Sequence, residues 1–230
     1  MIIGKLVGAA ILAYLLGAIP FGLIFGWLMG KVDVTKHGSG SIGSTNVLRL
    51  AGKRAAIVVI VLDLGKAILA VFLAQIIMGD DVLMVAGFPI DWRFAQVMAA
   101  LIVMAGHSWS IYIKFRGGKG VATYFGGWLM MCPAAALFGG IVVIMIATLT
   151  RYVSLGSILG AIATMILLII LTVVYGFPPI YLAYSVLGAI IIAVQHRSNI
   201  GRLQTHTERR IGDRVEINKT DSLSDTSQTN

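Results

Sequence analysis

The sequence predicts an all-α protein that crosses a membrane several times, and two observations carry this prediction. Hydrophobic residues make up 58% of the 230 residues and charged residues only 12%, whereas a soluble domain has about 25% charged residues. The apolar residues also form runs near the length of about 20 residues that a helix needs to span a bilayer. This composition excludes an ordinary soluble enzyme, a nucleic-acid-binding protein and a disordered chain.

Seven apolar runs, separated by charged residues or by Gly and Pro, are the predicted transmembrane helices. They lie at residues 3–28, 55–78, 94–113, 121–131, 134–150, 154–174 and 180–194. The fourth run is short, about 17 Å of helix, so it either tilts, inserts partly or merges with the fifth run across Pro133. Six spans is the alternative count.

The basic residues predict the orientation of these helices. Seven spans place fifteen of the eighteen Lys and Arg residues on one side, and six spans would force one basic segment across the membrane. The side richer in Lys and Arg faces the cytoplasm in most membrane proteins. We therefore expect the N-terminus outside and the C-terminus in the cytoplasm. The net charge of +8 then favours contact with anionic membrane lipids rather than nucleic acid.

The composition of the C-terminal segment predicts a boundary near residue 210. Residues 211–230 are rich in Ser, Thr, Asp and Asn and hold few apolar side chains. Such a segment buries too little apolar surface to fold. We expect an integral membrane domain at residues 1–210 and a disordered polar cytoplasmic tail at residues 211–230.

Three polar segments fall on the predicted cytoplasmic side, and the first covers residues 37–49. Its glycines relax the backbone so that successive N–H groups can point at one anion. Its hydroxyl and amide side chains add donors, and its arginine adds a charged fork suited to phosphate oxygens. The candidate residues are Gly38, Ser39, Gly40, Thr45, Asn46 and Arg49. A flexible Gly/Ser linker is the alternative interpretation of this segment.

The second segment joins His107 to a Gly-Gly-Lys-Gly run that opens the fourth predicted helix. Bare amides, the positive end of a helix dipole and a lysine together suit a phosphate group. The run is not a Walker A loop, because Ile113 stands at the position of the first glycine and Gly120 replaces the Ser or Thr. The candidates are Gly117, Gly118, Lys119 and Gly120. His107 either donates to a phosphate, moves a proton or packs at the helix end.

The third segment follows the last predicted span. His196 and Asn199 lie three residues apart and share one face if the helix continues, whereas Arg197 can also serve as a lipid anchor. Inside the second span, Asp63 and Lys66 can neutralise each other, so a structural ion pair is favoured over an ion path. No carboxylate accompanies His107 or His196 at short range in the sequence, and therefore no carboxylate base is predicted.

In this order and on these spans, the three segments resemble the motifs of the bacterial acyl-phosphate:glycerol-3-phosphate acyltransferase family (PlsY family). The matching runs are GSGSIGSTNVLR, then GH followed by FRGGKGVAT, then HRSNIGR, and the resemblance extends from about residue 10 to residue 210. The chain departs from the usual family residues at Ser41, Ser44, Ser110 and His206. None of these changes removes a charged or imidazole group.

The resemblance implies an enzyme of phospholipid synthesis. Such an enzyme transfers a fatty acyl group from acyl phosphate to the 1-hydroxyl of glycerol 3-phosphate, giving lysophosphatidate and phosphate. It implies seven helices in the bacterial cytoplasmic (inner) membrane and a hand-off of acyl phosphate from the enzyme that makes it. No metal and no other cofactor are expected, because the chain has one cysteine and no metal-ligand spacing.

The residue types suggest roles for the candidate residues in this reaction, which we give as a hypothesis. Ser39 and the Gly-rich backbone would bind the acyl phosphate, while Lys119 and Arg49 would neutralise phosphate charge. His107 would orient or polarise a substrate oxygen, Asn199 and His196 would close the third side of the site, and Ser157 matches a further polar position of the family pattern.

Two alternative functions remain, a transporter of a phosphorylated metabolite and a lipid-binding scaffold without catalytic activity. A transporter would hold its binding groups near the bilayer midplane, and a lipid-binding scaffold would not need three separate clusters.

Overall fold

The computed structural model describes residues 1–213, so nearly all of the tail predicted at residues 211–230 lies outside the described residues. Within them the chain forms nine α-helices and one short hairpin. The helices are α1 (Ile2–Ala18), α2 (Phe21–Gly30), α3 (Ser44–Met78), α4 (Trp92–Ser108), α5 (Val121–Met131), α6 (Pro133–Thr150), α7 (Val153–Tyr175), α8 (Ile180–Gln195) and α9 (Arg197–Gln204). Strands β1 (Leu83–Val85) and β2 (Phe88–Ile90) pair antiparallel.

The first predicted span is broken in the structure. Helix α1 ends at Ala18, and Ile19 leaves the helical region with φ −56° and ψ 116°. The residue before a proline disfavours the helical conformation, and Pro20 follows directly. The prediction of one continuous helix over residues 3–28 is therefore corrected to two helices, although Ile2–Gly30 is apolar and long enough to count as one candidate span.

Helix α3 begins well before the predicted second span. It starts at Ser44, and Gly52 interrupts it with φ 85° and ψ 178°. This non-helical residue separates an N-terminal segment at residues 44–51, which carries Arg49, from the long apolar part of the helix. The apolar part ends at Met78, as the sequence predicts.

Helix α4 is shorter than the predicted span at residues 94–113. It ends at Ser108, and the chain then forms a loop containing a 3₁₀ turn at Ile111–Ile113. Lys114 and Phe115 take positive φ angles within this loop. The apolar and aromatic side chains of the loop made it look like a continuation of the helix, which is the physical reason for the error.

The short helix α5 lies inside the bundle. Tyr124 and Trp128 are fully buried, and their rings pack against Tyr184 of α8. Cys132 leaves the helical conformation before Pro133, which is the first residue of α6. The fourth predicted run is therefore a buried helix that packs against its neighbours.

Helices α6 and α7 pack closely against each other through glycines. A Cβ at Gly139 of α6 would lie 1.9 Å from Thr164 Oγ1 of α7, and a Cβ at Gly160 of α7 would lie 2.8 Å from the Gly139 carbonyl. Small residues at such positions let two membrane helices approach each other. The outer faces of the same helices expose Leu149 and Val173, as a lipid-facing surface requires.

Several helices are apolar and long enough to cross a membrane. Within residues 1–213 these are Ile2–Gly30, Ser44–Met78, Pro133–Thr150 and Val153–Tyr175. Helices α8 and α9, which are bent by 63° relative to each other, give a fifth if the two are counted as one span. The fold is thus helical with multiple apolar spans. The count of seven and the orientation of the termini stay predictions.

The two ends of the bundle differ. At one end, called the site end below, segments 38–49, 119–122 and 196–209 line a common cavity. At the opposite end, Lys5 Nζ pairs with Asp81 Oδ2 at 2.8 Å and donates to the carbonyl of Met78 at 3.3 Å. The polar segments singled out in the sequence therefore come together at one end.

Candidate active site

A cavity of about 810 Å³ at the site end joins a polar half to an apolar groove. The polar half is lined by Gly38, Ser39, Thr45, Asn46, Arg49, Lys119, Gly120, Ser157, His196, Asn199, Arg202, Glu208 and Arg209. The groove is lined by Ile60 and Leu64 of α3, by Leu129 of α5, and by Leu137 and Ile141 of α6. Because Leu137 and Ile141 are mostly exposed on the outside of the bundle, the groove opens sideways between α3 and α6.

Asn46 shapes the Gly-rich segment. Its Nδ2 donates to the carbonyls of Val34 and Ser41, each at 2.9 Å, and its Oδ1 accepts from the N–H of Ser39 at 3.0 Å. A Cβ at Gly38 would lie 2.3 Å from Asn46 Oδ1, at a φ of +65°. Asn46 thus holds the loop that presents Ser39 to the cavity. The sequence predicted Asn46 as a substrate-binding residue and did not predict this structural role.

Gly117 and Gly118 pack against His107. The N–H of Gly118 donates to the carbonyl of His107 at 3.0 Å, and a Cβ at Gly117 would lie 2.2 Å from the same carbonyl oxygen. The expectation of a free Gly118 amide for phosphate is therefore corrected, since that N–H is already bonded. Both glycines line a smaller cleft of about 200 Å³ beside Gly40 instead of the main cavity.

Gly120 and the start of α5 face the main cavity. Gly120 precedes the helix with φ 77°, a backbone conformation that glycine adopts at little cost. Val121 and Ala122 line the cavity with it. The N-terminal end of α5 is thus directed at the polar half, where its dipole favours an anion.

Lys119 lies in a network that extends to Glu208. Its Nζ donates to Asn199 Oδ1 at 2.5 Å, and Asn199 Nδ2 donates to Glu208 Oε1. Ser154 Oγ donates to the same oxygen at 2.8 Å, while Arg202 Nε donates to Glu208 Oε2 at 2.7 Å. Glu208 is therefore the centre that orients Asn199, and Asn199 in turn positions Lys119.

The charges of this network shift two pKa values. Burial lowers the pKa of Lys119 to about 8; Glu208 opposes the shift, while Arg202 and Arg49 add to it. Burial disfavours the Glu208 carboxylate, but hydrogen bonds from Asn199, Ser154 and Arg202 hold the pKa of Glu208 below its ordinary value. At neutral pH the network therefore contains a protonated lysine and an ionised glutamate.

Arg49 supplies a second cationic group to the cavity. Its Nε is buried and has no hydrogen-bond partner among the described residues. Arg209 lines the same polar half. A buried guanidinium nitrogen without a partner is costly unless an anion fills the position. The polar half is therefore built to receive an anion.

His196 and Ser157 also line the polar half. His196 Nδ1 lies 2.8 Å from the carbonyl of Ile192, so Nδ1 carries the proton and Nε2 is left as an acceptor. Ser157 Oγ donates to the carbonyl of Val153 at 2.8 Å. Both side chains are buried, and both keep acceptor capacity toward the cavity.

The sequence did not predict two acidic residues of the site. Glu208 follows Asn199 by nine residues, and the run around it was noted only as a departure from the family pattern. Asp63 lies on another helix, yet its Oδ1 is 3.5 Å from His107 Nδ1, and both residues line the cavity. A carboxylate does accompany His107 in space, and Asp63 is more than the isolated partner of Lys66 that its spacing suggested.

Comparison with known proteins gives a consistent result. The family model described as glycerol-3-phosphate acyltransferase matches residues 7–206. Glycerol-3-phosphate acyltransferase 3 of Dehalococcoides mccartyi strain 195 is 45% identical over 93% of this chain and 99% of that protein. Glycerol-3-phosphate acyltransferase of Thermus thermophilus is 42% identical over 90% of this chain and 95% of that protein.

Two solved structures resemble the fold. The crystal structure of PlsY (YgiH), an integral membrane glycerol 3-phosphate acyltransferase, in its glycerol 3-phosphate form, gives a TM-score of 0.77 at 34% identity. It covers 90% of this chain and 96% of that chain. The lysophosphatidic acid form of the same protein gives a TM-score of 0.76. The similarity thus spans nearly the whole membrane bundle.

Proposed function

The chain belongs to the PlsY family of glycerol-3-phosphate acyltransferases, and we propose that it transfers a fatty acyl group from acyl phosphate to the 1-hydroxyl of glycerol 3-phosphate. The products are lysophosphatidate and inorganic phosphate. One observation supports an amphipathic acyl donor: a single cavity joins a cationic polar half to an apolar groove that opens at the side of the bundle. An acyl phosphate has the same two parts, an anionic head and a long apolar chain.

The chemistry needs little covalent help from the protein. The 1-hydroxyl oxygen of glycerol 3-phosphate attacks the acyl carbonyl carbon, the new ester C–O bond forms, and the C–O bond to phosphate breaks. The hydroxyl proton passes to the departing phosphate, which balances the step. An acyl phosphate is an activated mixed anhydride, so the main tasks are to align the two substrates and to stabilise charge on the leaving group.

The cationic residues of the cavity are suited to stabilising charge on the leaving phosphate. Lys119 and Arg49 line the same polar half, and the Arg49 Nε without a partner among the described residues can donate to a phosphate oxygen. Ser39 and the N-terminal end of α5 add neutral donors around the head group. Asn199 acts by holding Lys119, and His196 offers Nε2 as an acceptor at the edge of the polar half.

The groove is suited to aligning the acyl donor, because it can hold the acyl chain. Ile60 and Leu64 of α3 face Leu137 and Ile141 of α6 across it. A chain lying there removes apolar surface from water at about 25 cal/mol per Å². Its carboxyl-phosphate end then reaches the polar half, where glycerol 3-phosphate arrives from the aqueous side.

The test uses the purified protein in detergent with palmitoyl phosphate and glycerol 3-phosphate. Phosphate release and lysophosphatidate are followed together by mass spectrometry, with palmitoyl-CoA as the alternative donor. We expect both products only when palmitoyl phosphate and glycerol 3-phosphate are present. Product formation from palmitoyl-CoA, with palmitoyl phosphate inert, would contradict the proposed donor but not the acceptor.

A further inference from the structure

Asp63, Lys66 and His107 form a buried cluster to which the proposed chemistry gives no direct task. Lys66 Nζ lies 2.8 Å from Asp63 Oδ1 and 3.1 Å from His107 Nδ1, and all three side chains are about 3% exposed. Lys66 also donates to the carbonyl of Ile19 at 2.9 Å. The cluster therefore joins the break between α1 and α2 to α3 and α4.

The contacts of Lys66 determine the tautomer of His107. An ammonium group has only donors, so His107 Nδ1 must accept from Lys66 at 3.1 Å. A neutral imidazole then carries its proton on Nε2. Asp63 Oδ1 is the weaker partner for Nδ1, since it lies 3.5 Å from that nitrogen whereas Lys66 Nζ lies 3.1 Å from it. Its charge compensates that of Lys66, without which a buried ammonium would be costly.

The other edge of the ring supports the loop that carries Lys119. A Cβ at Gly118 would lie 2.1 Å from His107 Nε2 and 2.7 Å from Cε1. The N–H of Gly118 also donates to the backbone carbonyl of His107 at 3.0 Å. The loop is therefore seated on both the ring and the backbone of His107, one residue before Lys119.

We propose that Asp63 and Lys66 are positioning residues for Lys119 and that they act through the ring of His107. Lys66 holds the ring in one tautomer and one orientation, and the ring is the surface on which Gly118 rests. Asp63 balances the charge of Lys66. This inference rests on the proposed function, because that function assigns phosphate neutralisation to Lys119.

The first test measures whether Gly118 and the cluster are energetically coupled. Gly118→Ala is made in the native chain, in His107→Ala and in the paired variant Asp63→Asn/Lys66→Met, which leaves no unpaired buried charge. We expect Gly118→Ala to lower kcat/KM for glycerol 3-phosphate by about 30-fold in the native chain and by about 3-fold or less in His107→Ala. The paired variant should give an intermediate loss, because the ring is no longer held in place.

A purely structural role for the cluster would produce a different result. The paired variant decides, because loss of the ring in His107→Ala relieves the contact with a Cβ at position 118 whatever holds the ring. If Asp63 and Lys66 had no part in holding the ring, Gly118→Ala would cost the same factor in the paired variant as in the native chain, and that outcome would overturn the proposal. Gel filtration and thermal unfolding identify the folded variants. The matched control is Lys53→Met, because Lys53 is an exposed lysine of α3, the helix that carries Lys66. This variant should leave the cost of Gly118→Ala unchanged.

The second test needs no activity. The four histidines are labelled with ¹⁵N, and the His107 signals are assigned by their loss in His107→Gln. We expect an unprotonated Nδ1 and a protonated Nε2 in the native protein, and a mixture of tautomers in the paired variant. A protonated Nδ1 in the native protein would overturn the proposal even if the acyl transfer proceeds as proposed, so the two failures are distinguishable.

Discussion

Lys119 carries a charge whose burial makes it sensitive to pH. Its pKa is lowered to about 8 by burial, with Arg202 and Arg49 adding to the effect. The ammonium is therefore present below this pH and is lost as the pH rises through it. We expect kcat/KM to be highest below pH 8 and to fall on the alkaline side. A pH–rate profile at saturating acyl phosphate measures this limb.

The variant Lys119→Arg tests the assignment of that limb. Because a guanidinium keeps its proton throughout the accessible pH range, the alkaline fall should disappear in Lys119→Arg, whatever the loss in absolute rate. Lys53→Arg, an exposed site, should keep the native profile. An alkaline limb that survives in Lys119→Arg would assign the titration to another group.

Glu208 should matter through Asn199 rather than through the substrate. Glu208→Gln removes the charge that accepts from Asn199, Ser154 and Arg202. Hydrogen bonds to a charged group contribute about 1.5–3 kcal/mol each, so we expect a lower temperature of unfolding together with about a 10-fold or greater loss of kcat/KM. Thermal unfolding and steady-state kinetics measure both effects.

The control for that variant is Gln204→Ala, an exposed position at the end of α9. It should change neither property. A Glu208→Gln protein of native stability and native activity would show that the network does not position Lys119.

The individual residues show where the sequence was informative. Arg49, Lys119 and Asn199 were predicted from local motifs, and the structure brings them to one cavity because each motif lies at the same end of the bundle. The contacts that Gly118 and Asp63 make with His107 were missed. Both depend on His107, which is distant in sequence from Asp63 and reached by Gly118 only through the folding of a loop. Spacing along a chain carries no signal of such contacts.

At the scale of single elements, helix α6 offers a direct test of the groove. Gly140 lines the cavity, and a Cβ placed there would meet nothing within 4 Å. We expect Gly140→Leu to fold normally, since leucine favours a helix, and to occupy space that the acyl chain needs. The rate with palmitoyl phosphate should fall about 10-fold relative to the rate with decanoyl phosphate.

The control is Gly8→Leu in α1, where a Cβ also meets nothing within 4 Å and which does not line the main cavity. Its ratio of rates with the two donors should stay native. Equal losses with both donors in Gly140→Leu would place the acyl chain elsewhere.

The elements also show why helix boundaries were difficult to predict. Residues 109–113 are almost entirely apolar or aromatic, yet they form a loop after Ser108. At the edge of a membrane, a loop can remain apolar because its side chains still face lipid. Hydrophobicity then reports the environment of a residue and not its backbone conformation. The break at Ile19 has a different cause, since Pro20 follows it within the apolar run.

At the scale of the whole molecule, composition was sufficient to predict a polytopic helical membrane protein, and the apolar spans and the integral membrane relatives agree. The number of spans stays a prediction, because α4 has 17 residues and α5 has 11, and both helices pack inside the bundle. The predicted orientation, with the site end in the cytoplasm, rests on the distribution of Lys and Arg.

Cysteine labelling tests this orientation. The chain has one cysteine, Cys132, which is buried, so Cys132→Ala gives a background without reactive thiols. Lys114→Cys near the site end and Asp80→Cys at the opposite end are both exposed positions. In intact cells a membrane-impermeant maleimide should label Asp80→Cys at once and Lys114→Cys only after permeabilisation. The reverse pattern would invert the predicted topology.

The sideways opening between α3 and α6 has a consequence for how the enzyme meets its donor. If the donor is the proposed acyl phosphate and enters through this opening, it diffuses in the plane of the membrane and reaches the site without dissolving in water. Its effective concentration is its mole fraction in the bilayer or micelle rather than its molarity. Adding inert detergent at constant bulk donor concentration should therefore slow the reaction by surface dilution, while the dependence on glycerol 3-phosphate follows ordinary bulk concentration.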